Sequence, residues 1–119
     1  MKLPGPDHPI TITPNPQRVV VTFNGATIAD SRNALELKEA SYPAVQYIPR
    51  ADVDTTKLKR TENSTHCPYK GDASYYSIMV DGKQSENAIW SYEAPFPAME
   101  QIAGHVAFYP NRVDKIQIG

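Results

Sequence analysis

Eleven prolines and six glycines punctuate a chain of 119 residues, and no stretch between them shows long helical periodicity. Proline fixes φ and removes a backbone donor, while glycine weakens any regular element it interrupts. Punctuation this dense favours short elements. The intervening runs are rich in valine, isoleucine, threonine and tyrosine, which favour the pleated strand. The chain therefore reads as mainly β, with about eight short strands and one short helix.

The strands can be placed from alternation and turn chemistry. Residues 10–13 alternate and form a short edge strand that Pro14 and Pro16 stop. Residues 18–23 are nearly all β-branched or aromatic, and Asn24-Gly25 joins them to residues 26–29. Asn-Gly between two such runs predicts a two-residue hairpin, because both central residues of that turn need positive φ. Residues 34–40 contain good helix formers, yet Leu35 and Leu37 alternate with Glu36 and Lys38, which favours a half-exposed strand. Residues 44–48 form a strand ended by Pro49, and residues 52–58 a turn with one helical turn capped by Asp52 or Asp54. Residues 73–80 and 88–92 make a second hairpin about Asp81-Gly82. Residues 97–103 are the one helix, with Pro97 in its first turn and Gly104 at its end. Residues 105–109 and 113–118 close the chain as strands, and residues 1–9 form a proline-rich N-terminal arm to a single domain.

Residues 65–76 concentrate the reactive groups: the only cysteine (Cys67), His66, the Lys70-Gly71 pair and Tyr69, Tyr75 and Tyr76. Pro68 biases Cys67 towards extended backbone, where neighbouring side chains point to opposite faces. That geometry separates His66 from Cys67 and works against a Cys–His nucleophile. A lone cysteine is more often a small packed apolar residue. Structural zinc wants four ligands at set spacing, and one cysteine with the unpaired His8, His66 and His105 does not supply them. No metal and no cofactor are expected. Gly71 permits a turn that would let backbone N–H groups and the Lys70 ammonium cradle an anion, although a solvated lysine in a turn is the plainer reading. It is not a P-loop, for it lacks the Gly-x-x-x-x-Gly-Lys-Ser/Thr spacing. Trp90 and Tyr92 share a strand face opposite the Tyr75 strand. Together, Cys67, Lys70, Gly71, Tyr75, Trp90 and Tyr92 read as an aromatic pocket with a cation at its mouth, suited to a small planar or anionic molecule. Packing into the core is the competing role for Trp90.

The motif Thr65-x-Cys67-Pro68-x-Lys70-Gly71-x-Ala73-x-Tyr75 resembles the DUF427 family. So do Tyr47-Ile48-Pro49 upstream and Trp90-x-Tyr92-x-x-Pro95, Ile102-x-Gly104 and Ala107-Phe108-Tyr109 downstream. The resemblance implies a small β protein of bacterial type, with two short antiparallel sheets leaning together as in β-tent folds. The family is of unknown function, and one label attached to it implies a nucleotidyltransferase-like enzyme acting on nucleotides or phosphoesters. That chemistry needs clustered carboxylates around a divalent cation, for which Asp52, Asp54 and Asp72 are the available groups. Some β-tent relatives hold zinc on Cys-x-x-Cys pairs, which this chain lacks. A structural or oligomerisation module, whose apolar sheet face pairs with another chain in a homodimer, is the third reading.

A net charge of −1 gives no general attraction to nucleic acid or to anionic membrane, so neither is expected as a partner. One cysteine and an N-terminus without an apolar signal region predict a cytoplasmic protein. Asn63-Ser64-Thr65 matches a glycosylation pattern that is idle without secretion.

Overall fold

The computed structural model describes residues 1–119 and contains ten strands. They are β1 (Ile10–Asn15), β2 (Val19–Phe23), β3 (Ala26–Ser31), β4 (Ala34–Glu39), β5 (Val45–Tyr47), β6 (Leu58–Cys67), β7 (Gly71–Val80), β8 (Lys83–Ser91), β9 (Val106–Phe108) and β10 (Lys115–Ile118). All pairs between them are antiparallel, which bears out the mainly β class. The strands form three sheets, ordered β1-β4-β5, β10-β2-β3 and β6-β7-β8-β9, rather than the two expected. Single bridges add to this pairing. Ile48 and Val106 exchange backbone bonds of 2.8 and 2.9 Å between the first sheet and β9, and Ala29 bridges Val53.

Both predicted tight turns are present, with φ of 48° and 80° at Asn24 and Gly25 and 48° and 79° at Asp81 and Gly82. β1 runs through Pro14, which is tolerated because β1 is an edge strand. The helix expected at 97–103 is present as Pro97–Ile102, of 3-10 type and broken at Met99 (φ −113°). Six residues between Pro97 and Gly104 are too few to repay α-helix nucleation, and the segment is pinned instead by buried Met99 and Ile102. A further expectation is corrected: β6 is a ten-residue strand where no strand was expected before Cys67. β6 is the outer edge of its sheet and mostly exposed, so its polar residues carry no alternation to betray it. Asp54 caps the short turn Thr55–Lys57 by accepting from Thr56 N–H, one of the two caps anticipated.

The core has two parts. The larger lies between β2-β3 and β7-β8-β9, around Val19, Val21, Ile28, Ile78 and Ile89, all fully buried. The smaller joins Leu37, Tyr47, Tyr75, Tyr92, Met99 and Ile102. Three of those six are tyrosines, and each brings a hydroxyl into an apolar setting that must be hydrogen-bonded or reach a cavity. No helix is long and apolar enough to cross a membrane.

Candidate functional site

The Cys67–Lys70 segment is the turn of the β6–β7 hairpin, with Cys67 opposite Gly71 in register. Gly71 has φ of +112°. A Cβ added there meets Phe96 N and Pro95 Cα at 3.5 Å each, ordinary contact distances, so the demand for glycine is conformational and not steric. Gly71→Ala is expected to cost about 1–3 kcal/mol of stability, measured by urea unfolding. The turn is held from both sides. Phe96 N–H donates to Lys70 C=O at 3.0 Å, and on the other side the N-terminal arm covers it: Lys2 N–H donates to Pro68 C=O at 2.8 Å, and the His8 ring stacks on Tyr69 at 4.1 Å and 7°.

This anchoring turns Lys70 inward, where the residue is only 8% exposed. Its ammonium donates to Glu39 Oε1, while Glu39 Oε2 meets His8 Nε2 at 2.7 Å. Burial alone would raise the Glu39 carboxyl, but the hydrogen bonds and charges of Lys70 and His8 outweigh it and hold the group below its ordinary value. Lys70 Nζ also lies 5.7 Å from the centre of the Tyr92 ring, a cation–π distance.

The Lys70–Glu39 pair forms one wall of a cavity of about 180 Å³. Tyr47, Tyr75, Trp90, Tyr92 and Tyr109 form the aromatic walls, Leu37 and Val45 add apolar surface, and exposed Tyr42 and Pro43 stand at the rim. Tyr75 and Trp90 are direct cross-strand partners on β7 and β8. Trp90 Nε1–H donates to Tyr47 Oη at 3.0 Å, and its ring tilts against Tyr109 at 4.5 Å. The Tyr75 hydroxyl contacts Thr65 Oγ1 at 2.9 Å and Tyr109 Oη at 3.4 Å. Burial pushes the Tyr47 and Tyr92 phenols well above their usual range, and burial with the Tyr75 bond pushes Tyr109 up to about 12. At neutral pH these hydroxyls are therefore uncharged donors and acceptors, and the formal charges on the wall are those of Lys70 and Glu39.

Of the six residues singled out in the sequence, Lys70, Tyr75, Trp90 and Tyr92 line this cavity. Cys67 and Gly71 do not. Cys67 packs, half-buried, against the smaller core, and Gly71 shapes the turn that delivers Lys70. His66 points away from any partnership with Cys67: its Nδ1 lies 2.7 Å from Asp72 Oδ1 on an exposed face. Glu39, Tyr47 and Tyr109 were not anticipated as site residues. Glu39 had a readable signal, since it continues the Leu35, Leu37 phase of β4 and so puts a carboxylate on the apolar face.

A family model described as a domain of unknown function, DUF427, matches residues 11–119. No curated protein matches the chain.

Proposed function

This chain belongs to the DUF427 family, whose function is unknown, and we propose that it binds a small, neutral, ring-bearing molecule in the Tyr/Trp cavity. The observation that carries this reading is the ion pair in the wall. A free lysine at the mouth would favour an anion, but Glu39 already neutralises Lys70 and would repel a second negative charge. What the pair offers a ligand is one donor beside one acceptor. A carboxamide is the complement: its carbonyl accepts from the Lys70 ammonium and its N–H donates to the Glu39 carboxylate. The aromatic walls then take the ring, edge-on or offset-stacked.

Size supports the same class. A dry cavity of about 150 Å³ accepts benzene, so about 180 Å³ suits one ring with a small substituent. Drug-sized and larger ligands occupy roughly 300–1,000 Å³. The nucleotidyltransferase reading finds less support. Asp52 bonds Ser31 at 2.6 Å, Asp54 caps its own turn through Thr56, and Asp72 pairs with His66. Each carboxylate is engaged in a different local contact, and none of them lines the cavity.

The test is a titration with benzamide, followed by the fluorescence of Trp90, the only tryptophan. Saturable binding is expected, weakened at least about tenfold in Lys70→Met if that variant still melts cooperatively, because a hydrogen bond to a charged group is worth about 1.5–3 kcal/mol. No saturable change in the wild type would overturn the reading.

A further inference from the structure

Beside the small cavity lies a second and larger hollow of about 490 Å³. It sits where the edge strands of all three sheets, β5, β9 and β10, converge. Its floor is the larger core: Val19, Val21, Ile48 and Phe108 are each at most 5% exposed. Ile116 and Ile118 of β10 form one wall. No charged side chain lines the hollow, and Gln46 is its one polar residue other than the ring-bearing Tyr42 and Trp90. Tyr42, Pro43, Val45 and Trp90 line both this hollow and the small cavity.

The geometry points to one continuous site for an amphipathic ligand: a ring with a polar head in the small cavity and an aliphatic tail running past Trp90 into the groove. This rests on the proposed reading of the small cavity for its head and adds the tail as a separate element. The division of chemistry supports it. The polar groups Lys70, Glu39 and the bonded tyrosine hydroxyls lie on the cavity side, whereas the groove offers uncharged surface to which hydrocarbon is the complementary occupant. The four shared residues make the two volumes neighbours, and a single molecule would pass from one to the other over Trp90 and the exposed Tyr42 and Pro43.

A series of 4-alkylbenzamides, from methyl to hexyl, separates head from tail. Affinity measured by Trp90 fluorescence is expected to rise about fourfold per added methylene until the groove is full, then level off. Ala44→Phe, at an exposed lining position of the groove alone, adds bulk without a second tryptophan and is expected to abolish the chain-length dependence while leaving benzamide binding unchanged. Ile118→Glu, on the β10 wall and 47% exposed, should flatten the same series by placing a charge beside the tail. Benzamide binding with a flat alkyl series would overturn the tail site and leave the head reading intact. Equal chain-length dependence in wild type and both variants would overturn it as non-specific partition. A groove occupied by a second copy of the chain would show as a dimer in sedimentation that the hexyl compound fails to dissociate, and this also overturns the inference. Long-chain binding that both groove variants abolish, with no detectable benzamide binding, would uphold the groove and overturn the polar-head reading.

Discussion

Glu39→Ala is expected to lower stability by about 2–4 kcal/mol in urea unfolding. Breaking a buried ion pair by deleting one partner costs about 3–5 kcal/mol, because the survivor is left charged without a counter-charge. Here the side chains keep 10% and 15% of their surface, so some of that loss is recovered by water. The same deletion also releases His8, and with it part of the hold that the N-terminal arm has on the Tyr69 turn. The carboxyl also imposes a pH dependence whose sign follows from its lowered value. Glu39 binds its proton less readily folded than unfolded, so its stabilisation is complete above the ordinary value of 4.5 and is lost as pH falls through the folded value. Glu39→Gln, which cannot ionise, should therefore lose less stability between neutral pH and the acid side of 4.5 than the wild type. Equal acid sensitivity in the two proteins would show that the pair contributes nothing there.

Tyr47→Ala is expected to cost about 3–5 kcal/mol, the range for deleting a large buried aromatic side chain. Tyr47 is 1% exposed and belongs to both the smaller core and the cavity wall. Tyr47→Phe keeps the ring and removes only the acceptor of the Trp90 indole N–H. Trp90 is half-buried, so water can take over that bond, and the expected cost is about 1 kcal/mol. The gap between the two variants thus measures packing against hydrogen bonding at one position. If Tyr47→Phe were as damaging as Tyr47→Ala, the hydroxyl would matter more than the ring and the account of this wall would be wrong.

Much of this arrangement was legible in the residues. The two tight turns declared themselves because Asn24-Gly25 and Asp81-Gly82 have a specific conformational need. The alternation of Leu35 and Leu37 correctly chose strand over helix for β4 against the helix propensity of its residues. Trp90, Tyr92 and Tyr75 were brought together by period-two reasoning and hairpin register. What stayed hidden depended on long-range contact. β6 is an exposed edge whose polar surface has no burial pattern to read. Lys70 read as a cation at a pocket mouth because nothing local reveals a carboxylate arriving from Glu39, 31 positions away. The same distance hid His8, which reaches that carboxylate from the N-terminal arm. The third sheet was likewise unreadable, since the number of sheets depends on which edges pair and not on any single strand.

The central claim is that the cavity is built for a neutral donor–acceptor group and not for a charge. The most direct measurement is calorimetric titration with three planar molecules of nearly equal shape: benzamide, benzoate and benzamidinium. Benzamide should bind most tightly, because benzoate must face Glu39 and benzamidinium must face Lys70, each at a distance where like charges repel inside a partly dry site. If benzoate binds most tightly, Lys70 acts as an anion receptor despite its partner, and the neutral-ligand account is contradicted.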